Sequence, residues 1–147
     1  MGQEAIQVGC VAAAGQKHWF TTTYRCHALA LLLGVTPNEA MAELYGRTTG
    51  NAQGRGGSMH LYADRLLGGL AIVGGHVPIA TGAAFTIKYK KEKDLASFCF
   101  LGEGATVQGA VHESLNLAVL WNLPCIYVIE NNLWLSLIHI SEPTRPY

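Results

Sequence analysis

Apolar positions along the chain recur with helical spacing in some stretches and run continuously in others, and a glycine-rich stretch with neither pattern lies between them. Near the start, Ile6, Cys10, Ala13 and Ala14 recur at helical spacing in the run from Gly2, which reads as a helix entered midway because no usual capping residue precedes it. Pro37 followed by Asn38, Glu39 and Ala40 puts proline in a first turn and acid near the positive helix end, predicting a helix from about Pro37 to Tyr45 that Gly46 ends. From Arg47 to Gly75 glycine is so frequent, as in Gly54-Arg55-Gly56-Gly57 and Gly68-Gly69, that a loop is predicted. A loop of that length in a compact domain is usually functional.

Further along, Val77, Ala80, Ala84 and Ile87 share one helical face and Lys88, Lys90, Lys91 and Lys93 gather at the negative end, predicting a core helix from about His76 to Lys91. Leu95 to Leu101 is a short continuous apolar run, as expected of a strand covered on both faces. Helical period returns from Gln108 to Asn122 through Val111, Leu115, Ala118, Val119 and Trp121, and Pro124 precedes a second apolar run, Cys125 to Ile129. Strand, helix and strand at this spacing imply a right-handed parallel crossover between two buried strands, so Leu101 and Ile129 should end on the same sheet edge. The fold class is therefore α/β, a parallel sheet with flanking helices, and ligands of such sheets bind outside that edge.

At 147 residues, half of them hydrophobic, the chain can bury the core of one domain. Ten acidic residues balance ten basic ones, which removes any global field toward nucleic acid or an anionic membrane. The uncharged stretch from Leu66 to Ile87 is long enough for a membrane span but carries five glycines, Pro78 and His76, so a glycine-rich loop and a buried helix explain it better. Cys10, Cys26, Cys99 and Cys125 form no C-x-x-C pair, which argues against a zinc or thioredoxin-like centre and for reduced, intracellular thiols.

The crossover delivers Gly102-Glu103-Gly104-Ala105 from one strand end and Glu130-Asn131-Asn132 from the next. A carboxylate, an amide carbonyl and a nearby backbone carbonyl suit a magnesium ion that keeps a water and takes its other oxygens from a diphosphate. The flanking glycines let backbone N–H groups approach phosphate, with the positive end of the following helix nearby. Arg25 offers a rigid donor fork that matches phosphate oxygens; the plainer alternative is a surface ion pair. The lysine cluster reads as a solvated helix end, and His60, His76 and His112 receive no catalytic role.

Gly-acid-Gly, a helix, then a strand ending in Asn-Asn resembles the thiamine diphosphate motif. The wording around it, Gln108-Gly109, Glu113-Ser114-Leu115-Asn116, Trp121-Asn122-Leu123-Pro124 and Glu130-Asn131-Asn132, resembles alpha subunits of the thiamine-diphosphate-dependent 2-oxo acid dehydrogenases, most closely those acting on pyruvate. Gly2-Gln3-Glu4-Ala5, Thr23-Tyr24-Arg25-Cys26-His27, Glu43-Leu44-Tyr45-Gly46, Gly56-Gly57-Ser58-Met59-His60 and Ile72-Val73-Gly74 extend the likeness over roughly Gly2 to Trp134. The resemblance implies part of a thiamine-diphosphate-binding fold in which Tyr24 and Arg25 bind the diphosphate, Ala71 and Val73 meet the aminopyrimidine through their backbone, and Gly102, Gly104 and Ala105 line the phosphate site. It further implies that Glu103 and Asn132 ligate magnesium (Mg2+) with the backbone carbonyl of Trp134, and that His27 faces the substrate as a proton donor or charge stabiliser, the alternative being a buried, hydrogen-bonded histidine.

Also implied are a beta subunit that supplies the activating glutamate in an alpha2-beta2 heterotetramer, a lipoyl-bearing acyltransferase that accepts the acyl group, a small 2-oxo acid substrate, and a cytoplasmic (bacterial) or organellar setting. Two departures stand out: the family usually has aspartate where this chain has Glu103, and many members have asparagine where it has Val107. The tail from Leu135 onward does not resemble the family, so residues 1–135 are read as a partial cofactor-binding domain and 136–147 as a non-native tail of sequencing-adapter type. Rival readings are an acetoin or branched-chain 2-oxo acid dehydrogenase subunit, a non-catalytic nucleotide-binding module, and, for this polypeptide by itself, an inactive truncated piece.

Overall fold

The computed structural model describes residues 2–133. Trp134, the expected domain limit at 135 and the tail 136–147 lie outside them. The described chain forms α1 (Glu4–Ala14), β1 (Trp19–Thr23), α2 (His27–Leu32), α3 (Pro37–Leu44), β2 (Leu66–Leu70), α4 (Val77–Tyr89), β3 (Ser97–Gly102), a 3-10 turn (Glu103–Val107), α5 (Gly109–Leu120) and β4 (Cys125–Glu130). The strands make one four-stranded sheet in the order β2-β1-β3-β4, with every neighbouring pair parallel.

Alternation along β3 explains the layers. Phe98 and Phe100 point to one face, where they meet Phe20, Leu66, Val11 and Leu29 beneath α1 and α2. Cys99 and Leu101 point to the other, where they pack on Val77 and Ala80 of α4 and Val111 of α5. All of β3 but its last residue is buried, as an apolar run covered on both faces requires. The four inward positions expected for α4, Val77, Ala80, Ala84 and Ile87, are all buried. Among the described residues no helix is long and apolar enough to cross a membrane, and the stretch tested as a span is β2, a turn and most of α4. All four cysteine thiols are free.

Several elements depart from the sequence expectations. β1 and α2 were not foreseen, because Thr21, Thr22 and Thr23 read as polar although their β-branched side chains suit a strand and are buried in one. The stretch from Arg47 to Gly75 is not all loop, since its Leu66-Leu67-Gly68-Gly69-Leu70 segment pairs with β1 as β2. There the glycines are a packing requirement: a Cβ on Gly69 would come within 2.6 Å of both Cβ and Sγ of Cys26 and 2.9 Å of the Met59 carbonyl oxygen. Gly69→Ala should therefore destabilise the fold by about 1–3 kcal/mol through overpacking, measured as a lower urea midpoint at unchanged slope.

α1 turns Gln7 and Val11 inward while Ile6 and Ala13 stay exposed, so its inward stripe runs one position past the apolar one. On α5 the buried line is Val111, Ser114 and Ala118, and Leu115, Val119 and Trp121 are exposed. β4 is an edge of the described sheet with Ile126 and Ile129 exposed, not a strand buried on both faces. α3 matches expectation and owes its start to Thr36, whose hydroxyl accepts from Glu39 N while the Glu39 carboxylate accepts from Thr36 N.

Candidate functional site

The chain leaves β1 toward β2 on one side and leaves β3 toward β4 on the other, so the connections diverge between β1 and β3. Such a switch point opens a crevice at the strand ends, where no crossover closes it. A cleft lies there, and the ends of all four strands contribute to it. β1 runs into Thr23, Tyr24 and Arg25, β2 into Leu70 through Gly74, β3 into Gly102, Glu103, Gly104 and Ala105, and β4 into Asn132. The crossover by itself pointed to the tips of β3 and β4; the cleft extends from there to the ends of β1 and β2, where the resemblance had put Tyr24, Arg25, Ala71 and Val73.

Of the residues singled out from sequence, Tyr24, Arg25, Ala71, Val73, Gly102, Glu103, Gly104, Ala105 and Asn132 all line this cleft. His27 does not. It is exposed at the first position of α2, beside an adjoining hollow formed with Glu4, Ser58 and Met59 that shares Tyr24 and Arg25 with the cleft. It is thus not the buried histidine of the plainer alternative. Trp134 lies outside the described residues.

Glu103 and Asn132 share one wall because β3 and β4 run in register, Leu101 opposite Ile129 and Gly102 opposite Glu130. A carboxylate oxygen of Glu103 accepts a hydrogen bond from the Asn132 backbone N–H at 3.3 Å, so the two strand tips touch. The backbone from Glu103 to Val107 is a 3-10 turn, and α5 begins at Gly109 with Gln108 as its cap, in keeping with the helix expected from Gln108. Gly102 has an ordinary extended backbone, and a Cβ there would meet nothing within 4 Å, so glycine leaves the tip of β3 unobstructed.

Arg25 lies over the Tyr24 ring, 4.8 Å from its centroid, a contact that restricts where the guanidinium can point. Behind it is a buried polar tie that sequence reasoning missed. The Gln7 amide donates to Glu130 Oε1 at 3.1 Å and, at 3.4 Å, to Thr22 Oγ1 and the Arg25 carbonyl oxygen. Gln3, one turn earlier on the same face, donates to the Glu130 carbonyl oxygen at 3.3 Å. Burial pushes the Glu130 carboxyl up, opposed by the Gln7 hydrogen bond and the Arg25 charge and reinforced by Glu4. The only sequence hint was Gln3 and Gln7 four apart on a helix, which signals a shared face but not what it meets.

A carboxylate, an amide, a guanidinium and backbone groups on an open turn form a hard, oxygen-rich and cationic donor set suited to a diphosphate with a magnesium ion. No cluster of three or more His, Cys, Asp or Glu side chains occurs among the described residues. Magnesium needs none, because it dehydrates reluctantly and takes one or two carboxylates plus phosphate oxygens.

Comparison with known proteins bears on the same residues. The model of the dehydrogenase E1 component family matches residues 1–136. This chain belongs to the dehydrogenase E1 component family. Over 131 residues it is 49% identical to the mitochondrial pyruvate dehydrogenase E1 component subunit alpha type I of Ascaris suum, covering 89% of this chain and 33% of that protein. The mitochondrial alpha subunit of Saccharomyces cerevisiae is 48% identical over 132 residues, 90% of this chain and 31% of the yeast protein. A chloroplastic subunit alpha-3 of Oryza sativa is 41% identical over an alignment of 156, covering 99% of this chain and 37% of the rice protein. The chain thus spans about a third of the length of the curated relatives it matches.

Proposed function

We propose that the cleft at the strand ends holds thiamine diphosphate and magnesium, and that the full-length subunit, paired with a beta subunit, carries out oxidative decarboxylation of pyruvate with transfer of the acyl group to a lipoyl arm on an acyltransferase. The observation that carries this reading is convergence. Residues from four separated segments line one cleft at a switch point, and the relatives matching them are named pyruvate dehydrogenase alpha subunits.

In this reading the Arg25 fork and the backbone of the Glu103–Val107 turn take the diphosphate, while Glu103, Asn132 and the Trp134 carbonyl ligate the metal. The Ala71–Val73 backbone, following β2, holds the organic ring at the other wall. When bound, the cofactor supplies a carbon nucleophile and an electron sink; this chain's residues bind, orient and shield it. In this reading His27, exposed in the adjoining hollow, faces the substrate as a proton donor or charge stabiliser. The relatives named mitochondrial and chloroplastic support matrix or stroma in a eukaryotic source; for a bacterial source the same reading gives the cytoplasm.

The test is substrate profiling of the full-length subunit with its beta partner. Decarboxylation is expected only with both thiamine diphosphate and magnesium present, and faster on pyruvate than on branched-chain 2-oxo acids or acetoin. Preference for either of the latter would move the protein to the corresponding branch of the family, and nucleotide binding without response to thiamine diphosphate would overturn the reading.

A further inference from the structure

Pairing along the sheet shows where the crevice opens. β1 pairs with β3 from Trp19 opposite Ser97 to Thr21 opposite Cys99, whereas β3 stays paired with β4 as far as Gly102 opposite Glu130. Beyond Thr21 the end of β1, with Arg25 just past it, therefore leaves the β3-β4 ladder. It keeps its pairing with β2 instead, to Thr23 opposite Leu70. Strand pairing thus sets no spacing between the end that leads to Arg25 and the end that leads to Asn132.

Gln7 reaches across that gap from α1. It is buried, with 1% of its surface exposed, at an inward helix position that is ordinarily apolar. Its amide nitrogen donates to the Thr22 hydroxyl and the Arg25 carbonyl on the β1 side, and to the Glu130 carboxylate at the end of β4. These strands are not neighbours, since β3 lies between them. A backbone carbonyl and a carboxylate both accept, so the nitrogen of the amide, and not its oxygen, must face them. Two hydrogens serve three acceptors, so one is shared. Gln3, one turn earlier on the same helix, holds the Glu130 carbonyl. Burying an amide is costly unless it is hydrogen-bonded, and the bonds made here join two strand ends that the sheet leaves independent.

We propose that Gln7 is a positioning residue that sets the width of the crevice, holding the β1 end that carries Arg25 at a fixed distance from the β4 end that carries Asn132. The inference rests on the thiamine diphosphate and magnesium reading, in which Arg25 takes the diphosphate and Asn132 the metal. A metal-bound diphosphate must meet both anchors at once, so its affinity depends on their separation; a ligand held by one anchor is indifferent to it. Gln7 is not among the residues lining the cleft. It acts through the Arg25 backbone and through Glu130, two positions before Asn132.

The test is the factor by which saturating magnesium tightens thiamine diphosphate, measured by calorimetric titration of the full-length subunit assembled with its beta partner. Metal and diphosphate affinities are coupled reciprocally, so this factor reports how well the two anchors are matched. Gln7→Met keeps a flexible chain of similar length without the N–H donors. It should lower the factor roughly tenfold while changing metal-free affinity by no more than about twofold. Gln7→His returns one N–H donor at similar reach and should recover part of the loss. A merely structural role would weaken binding equally with and without magnesium, and that result, or an unchanged factor, overturns the inference while leaving the cofactor reading intact. If Gln7→Met does not accumulate as a folded subunit, Gln3→Met is read in the same way, because Gln3 is half-buried, makes no side-chain cap bond and ties the same strand end. A wild type that binds no thiamine diphosphate in the presence of magnesium overturns the cofactor reading and this inference together.

Discussion

Asn132→Ala in the full-length, beta-partnered subunit is expected to weaken magnesium-dependent binding of thiamine diphosphate by a hundredfold or more, roughly 3 kcal/mol for a lost charge-assisted contact at a metal. One contact joining the tips of β3 and β4 runs from the Asn132 backbone N–H to Glu103, and alanine keeps that N–H. The expected signature is affinity that falls further than stability. Asn132→Asp returns an oxygen ligand and should recover part of the loss, whereas a thermal unfolding midpoint reduced as much as affinity would point to a structural role. Isothermal titration of magnesium at fixed thiamine diphosphate reads the effect directly. Unchanged affinity in the alanine variant would remove the metal assignment from Asn132.

A second large effect is expected far from the cleft chemistry, at Glu43. Its side chain is fully buried, and its two carboxylate oxygens accept four backbone N–H groups, from Ala52, Gly54, Gly56 and Gly57, at 2.6 to 3.2 Å. Burial alone would raise the pKa of this acid, and the four donors outweigh it, so the carboxyl is held below its ordinary value. The glycine-rich loop thus folds around a single anion. It comes so close that a Cβ on Gly50 would meet Glu43 Oε2 at 2.5 Å, and one on Gly56 would meet the His60 carbonyl oxygen at 2.3 Å.

Glu43→Gln replaces an acceptor oxygen with an NH2 that confronts N–H donors, and should cost about 3 kcal/mol. Hydrogen exchange and proteolysis are expected to increase first between Arg47 and His60. Because the folded carboxyl titrates below its unfolded value, its contribution is present at neutral pH. It declines as pH falls through the ordinary carboxylate range and is gone below the depressed value. Wild type should accordingly show acid-induced opening of this loop that Glu43→Gln lacks, with hydrogen exchange across that range as the measurement. Equal acid sensitivity in the two proteins would assign the opening to other groups.

Both effects bear on what could be read without coordinates. Glu103 and Asn132 were legible because the signal around them is local: two continuous apolar runs, a helix of the right length between them, and a turn at each strand end. The core face of α4 was legible for the same reason. β1 and β2 were not, since threonines and glycines carry no apolar alternation and become strand residues only when Phe20 and Leu66 pair across the sheet. Glu43 stood out in sequence only as part of the Glu43-Leu44-Tyr45-Gly46 likeness, which does not reveal partners lying 9 to 14 positions downstream.

The sequence by itself determined the strand-helix-strand unit, the parallel α/β class and the chemical types available at each strand end, because hydrophobic period and turn residues act over a few positions. Tertiary structure alone decided where those ends converge. Order β2-β1-β3-β4 put the crevice at the junction of β1 and β3, brought Arg25 and Val73 to the same cleft as Asn132, and laid the Gln7 amide between the ends of β1 and β4. Strand order and burial are set by packing between segments far apart in the chain, and no local pattern encodes them.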